Sequence, residues 1–231
     1  MMKRLLLAAF LAVCCTAGAL ATVTVANTAV KSGTGTSLIL TVPTPASGNE
    51  LIALVRAGAT PTPPAGWTQL VQAFGAGVST VYYCPQSTCS GTSYTFGFGS
   101  SVSGIACYVE LHGQAASPFE LQTARNNGTS STSVSTPTIH PNYLGEFTLS
   151  FMTASSGPTS FTDTGGYTAG VSDIVSGQAC VMNYLSSAPA STFDSGTWGT
   201  SAAGQSGIIG IIPLGATRRC AAAIFLLGVS C

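Results

Sequence analysis

The sequence predicts an all-β chain: an antiparallel β-sandwich, jelly-roll-like, built from two duplicated halves. Three observations carry this. Apolar residues alternate with polar ones over short runs, the period-two pattern of a half-buried strand. Gly, Pro, Ser and Asn clusters recur about every ten residues, and helical spacing is absent. The blocks then recur in one order at a shift of about 94 to 103 residues, which marks an internal repeat.

The first cycle opens with Thr22 to Val30 (TVTVANTAV) and Thr36 to Val42 (TSLILTV), both rich in β-branched residues. Leu51 to Val55 is a continuous apolar run, as in a buried strand. TPTPPAG, ending at Gly66, is a proline-dense turn, and Trp67 opens the next strand. Val78 to Cys84 follows. Tyr94, Phe96 and Phe98 then alternate with Thr95 and Gly97, and Ile105, Cys107, Val109 and Leu111 with Ala106, Tyr108 and Glu110.

The second cycle repeats this. TSLILTVP matches STSVSTPT, Leu51–Val55 matches Phe147–Phe151, and STVYYCP matches ACVMNYL. SYTFGFGSS matches TFDSGTWGTS, and SGIACYVELHG matches SGIIGIIPLG. Glu50 aligns with Glu146, Gly66 with Gly166, Trp67 with Tyr167 and Thr68 with Thr168. The repeats read as 22–115 and 116–216, with 217–231 as a C-terminal tail. The alternative is two tandem immunoglobulin-like sandwiches, for which about 100 residues each suffice. No flexible linker separates the copies, which favours one sandwich.

Residues 1–21 read as a secretory signal peptide: Lys3 and Arg4, an apolar run from Leu5 to Cys15, then Ala19-Leu20-Ala21 for cleavage. That run is too short to span a membrane, which takes about 20 apolar residues. The expected location is therefore secreted, extracellular or at the cell surface. Export favours disulfides among Cys84, Cys89, Cys107, Cys180, Cys220 and Cys231. Cys84 and Cys89 flank a turn and suit a hairpin-end bridge. Cys220 and Cys231 suit a tail bridge. Cys107 and Cys180 either pair or stay separate buried thiols.

Only 6% of residues are charged, against about 25% in an average soluble protein. Without a basic surface, nucleic acid is excluded as a partner. A surface of hydroxyls and amides offers little electrostatic resistance to self-association. The expected partners are therefore polysaccharide or copies of the chain itself.

Catalytic signals are thin. Glu110 and His112 share a strand face but lack an evident third member, and His140 precedes Pro141 in a loop. Glu50 and Glu146 resemble a glycosidase pair only if the repeat brings them together. The aspartates lack calcium-loop spacing and the cysteines lack zinc spacing, so no metal or cofactor is expected. Asn127 heads the one N-glycosylation sequon. Trp67, Tyr167 and Trp198 are the candidate ligand-binding residues, as a stacking platform for sugar rings. The competing reading anchors them in the core.

The blocks SLILTVP, GNELIALV, PPAGWTQL, VYYCPQ, SYTFGF and GIACYVELHG, with GIIGIIPLGA closing the second cycle, resemble a loose group of Ser/Thr/Gly-rich bacterial exported and phage tail-associated proteins. The resemblance covers residues 22–216. It departs from the group's Tyr-Ser-Gly or Phe-Ser-Gly at Leu111-His112-Gly113. It implies a β-sandwich with a non-catalytic structural, surface or adhesive role, and it carries over no functional residue.

Overall fold

The computed structural model describes residues 21–128, 131–155 and 157–219, so the expected signal peptide and the Cys220 and Cys231 pairing lie outside it, Ala21 apart. The first repeat forms β1 (Thr24–Thr41), β2 (Glu50–Ala57), β3 (Thr68–Gly75), β4 (Gly77–Pro85) and β5 (Ser93–His112). The second forms β6 (Gln114–Asn126), β7 (Ser131–Ser135), β8 (Phe147–Ser155), β9 (Phe161–Asp163), β10 (Thr168–Val175), β11 (Gln178–Leu185) and β12 (Ser195–Pro213). No helix occurs among the described residues.

Each repeat makes one antiparallel sheet. The first runs β1-β5-β2-β4-β3 and the second β6-β12-β8-β11-β10, the same order strand for strand. β7 and β9 pair with the outer part of β12. The sandwich of two duplicated halves therefore stands as expected. Its wiring is plainer than a jelly roll, because the chain completes one sheet before it starts the other.

The sheets pack face to face through a central layer containing Ile52, Leu54, Val81, Cys107 and Val109 from the first and Phe147, Leu149, Phe151, Met182 and Ile209 from the second. The stacking is reciprocal. β1 lies against β10, and β6 lies against β3, so the outer strand of each repeat covers the hairpin edge of the other.

Each sheet also buries its other face against its own chain. In the first repeat, β1 breaks register between Gly35 and Ser37, and its outer part follows β5 over the sheet. Leu38, Leu40, Tyr94, Phe96 and Phe98 then close on Leu51, Ala53, Val55 and Tyr82. In the second repeat, Trp198 and Val134 close on Met152, Ala154 and Val181. The result is one sandwich with a core on both faces of each sheet, and this explains why β2 is buried at every position.

Local geometry repeats too. The β3–β4 hairpin has a bulge between Gln69 and Val71, and the β10–β11 hairpin has one between Ala169 and Val171. Gly66 and Gly166, each just before the aromatic residue, both sit at positive φ, 87° and 77°. Only glycine takes that backbone without strain.

Register corrects the sequence alignment. From the shared bulge, Val71 opposite Val81 corresponds to Val171 opposite Met182. Val81 lies opposite Leu54, and Met182 opposite Phe151. Leu54 therefore corresponds to Phe151, which places Glu50 at Phe147 and Asn49 at Glu146. Matching Glu50 with Glu146 is one residue out, and a one-residue slip exchanges the two faces of a strand. Accordingly Leu51, Ala53 and Val55 enter the outer core, while Phe147, Leu149 and Phe151 enter the central layer.

Candidate functional site between the repeats

The three candidate aromatics do not form a platform. Trp67 is 6% exposed, Tyr167 8% and Trp198 3%, each in a different cluster. Trp67 meets Tyr94 and Phe96 edge-on, with centroids 5.0 and 5.7 Å away. The Tyr167 hydroxyl bonds Thr148 and Thr192 at 3.0 and 2.9 Å. Trp198 packs on Phe161 at 4.9 Å. They are core anchors, as the competing reading had it: a Gly-aromatic turn delivers Trp67 and Tyr167 inward, while Trp198 points inward from within β12.

Glu110 and His112 are linked, but through Asn49. The Glu110 carboxylate is fully buried and accepts from Asn27 Nδ2 at 2.7 Å, Asn49 Nδ2 at 2.5 Å and the Ala46 amide at 2.8 Å. Asn49 Oδ1 in turn contacts His112 Nδ1 at 2.8 Å. Three N–H donors use the carboxylate to tie β1 and the loop before β2 onto β5. His140 is exposed in a loop.

In the second repeat Glu146, in the turn before β8, fills the matching space with fewer bonds, and its buried Oε1 has no hydrogen-bond partner. It occupies the space over Gly210, the counterpart of Glu110, and accepts from the Tyr143 amide at 3.3 Å. Burial, then the neighbouring Glu120, pushes its carboxyl up to about 7. Glu50 and Glu146 face opposite sides of their sheets and do not form a catalytic pair.

A polar cluster unsigned by any motif lies in the second repeat's outer core. Asp194, fully buried, accepts from Ser150 Oγ at 2.5 Å and from Asn183 Nδ2 at 3.3 Å; the same Asn183 nitrogen donates to Asp163 at 2.7 Å. Burial pushes the Asp194 carboxyl up to about 6. Its counterpart across the repeat is Tyr94, and that of Asn183 is Tyr82, so hydrogen bonds replace ring packing here. No group among the described residues gathers three or more metal-ligating side chains. Cys84 and Cys89 form the expected disulfide, while Cys107 and Cys180 are free and buried. The sequon amide of Asn127 is engaged by Ser206 at 2.7 Å.

A cleft of about 440 Å³ opens where β3 faces β6. Glu50, Thr68, Gln69 and Tyr83 of the first repeat line it, with Phe119 and Gln122 of the second. Tyr83 and Phe119 lie 4.7 Å apart, tilted by 60°. Glu50 is 7% exposed and its Oε2 has no hydrogen-bond partner. Burial pushes its carboxyl up to about 7. An orphaned buried acceptor costs about 1–3 kcal/mol, more if charged. Sequence reading singled out Glu50 but missed Tyr83, Phe119, Gln69 and Gln122. Only the stacking of one repeat on the other brings these together.

No family model, curated protein or solved structure matches this chain.

Proposed function

We propose that this is an exported, non-catalytic surface-interaction protein that recognises a hydroxyl-rich partner, polysaccharide above all, through the cleft between its repeats. The cleft carries this reading: amide, hydroxyl and carboxyl groups line it beside Tyr83 and Phe119, and a few polar groups set among apolar ones in a concave site are what orient a ligand. Catalysis asks for an acid–base or nucleophile–base arrangement with substrate access. Glu110 and Asp194 instead spend their lone pairs on buried structural donors. The disulfide of Cys84 and Cys89 supports an oxidising compartment.

The test is a screen of the purified mature protein against immobilised polysaccharides, in parallel with glycoside, ester and peptide substrates. Binding without turnover is expected. Turnover lost in His112→Ala or Glu110→Gln overturns the non-enzyme reading.

Self-association is a second reading, favoured by Phe74, 62% exposed on edge strand β3, and Ile39, 52% exposed on edge strand β1. Sedimentation velocity across a concentration series separates it from the monomeric reading.

A further inference from the structure

The reciprocal stacking gives the molecule two related positions for a cleft, one at β3 and β6 and one at β10 and β1. Strand register pairs their residues. Tyr83 corresponds to Tyr184, Glu50 to Phe147, and Phe119, opposite Ile211, to Val25, opposite Leu111. The two positions are filled differently. At the second, Phe147 is fully buried and stacks on Tyr184, with centroids 5.4 Å apart and planes within 13°. At the first, Glu50 stands where that ring would be, and Tyr83 leans on Phe119 instead.

The apolar solution is therefore available to this fold and is used once. Replacing a stacked ring by a carboxyl without a full set of partners lowers stability, since the polar group loses water and gains nothing. A buried polar group left unsatisfied calls for an explanation, and in a residue that also lines a cleft, a ligand toward which the carboxyl turns is one.

We propose that the Glu50 cleft is a saccharide-binding site, in which the Glu50 carboxyl group bonds a sugar hydroxyl, Gln69 and Gln122 bond further hydroxyls at the rim, and Tyr83 with Phe119 contacts the apolar face of the ring. This rests on the recognition reading above and assigns it a place and a ligand class. Neutral sugar fits better than an ammonium ion. Among the lining groups Glu50 is the one carboxylate, the rest being amides, hydroxyls and apolar groups.

The experiment uses the full mature chain and a panel of neutral tetrasaccharides of glucose, mannose, xylose and N-acetylglucosamine, with n-butylammonium chloride as a separate arm. Binding is read by calorimetry for wild type, Glu50→Gln, Glu50→Phe and Gln122→Ala, and thermal melting checks the fold of each. Glu50→Phe copies the second position, so it is expected to melt at or above the wild-type temperature and to lose saccharide binding. Glu50→Gln is expected to weaken binding about tenfold, the scale of one hydrogen bond to a charged group. Wild-type affinity in a folded Glu50→Phe variant overturns this site and leaves the recognition reading standing. Wild type binding no saccharide overturns both, and preference for n-butylammonium overturns the ligand class.

Discussion

At the scale of single residues, the buried carboxyls set how stability responds to pH. Folding raises Glu50 from 4.5 to about 7, Glu146 from 4.5 to about 7, and Asp194 from 3.8 to about 6. A raised carboxyl binds its proton more tightly in the folded state than in the unfolded one. Its contribution is thus complete below the unfolded value and is lost as pH climbs to the folded value. The melting temperature should therefore be higher at pH 4.5 than at pH 8, with the fall concentrated between about 4.5 and 7. Glu50→Gln should flatten that curve in differential scanning calorimetry. A melting temperature that rises steadily over this interval contradicts the assignment. Glu110 makes a different demand. Glu110→Ala strands three donors, from Asn27, Ala46 and Asn49, and should cost about 3 kcal/mol or more in urea denaturation. A loss under 1 kcal/mol, in contrast, means water replaces the carboxylate freely.

At the scale of strands, β2 and β8 are the central ribbons of their sheets, and their inward faces carry the packing. Leu54→Ala and Leu149→Ala each remove a central-layer side chain and should cost about 2–5 kcal/mol by chemical denaturation. An unchanged midpoint for either shows that its strand does not pack centrally. β2 was legible as such in the sequence, because a strand buried on both faces reads as an unbroken apolar run, and β8 was legible through its match to β2. Their phase was not. Two glutamates at matching strand entrances invite alignment, yet the turn from Ala46 to Asn49 and the turn from Tyr143 to Glu146 deliver the chain one residue apart. From Leu51 to Val55, β2 has no polar alternation to reveal which face is which, although Thr148 and Ser150 do mark the faces of β8. Trp67 and Tyr167 did align correctly, since a positive-φ glycine before each pins the local backbone. The cleft stayed hidden for a further reason: Gln122 and Gln69 are remote in sequence, and only sheet stacking makes them neighbours.

At the scale of the whole molecule, neither repeat can cover its own central face. A first repeat expressed alone, 22–115, would expose Ile52, Leu54, Val81, Cys107, Val109 and Leu111 together. That is an apolar surface of the kind that drives association. It should be recovered as dimers or aggregates by size-exclusion chromatography, and a well-behaved monomer contradicts the shared core. Mixing it with the separately expressed second repeat should restore a soluble one-to-one pair.

The reciprocal stacking of β1 on β10 and β6 on β3 has a consequence for how such a molecule acquires specificity. Two identical single-repeat chains packed this way would form a homodimer, and every substitution in it would appear twice. A glutamate set at the Glu50 position would then stand in both clefts and double the destabilisation. Covalent linkage of the repeats breaks that identity. One junction keeps Phe147 on Tyr184 and serves as the foundation, while the other diverges around Glu50. Linkage thus lets the two junctions divide labour, and converting Phe147 to Glu would put a carboxyl at both, at the cost of the side that holds the molecule together.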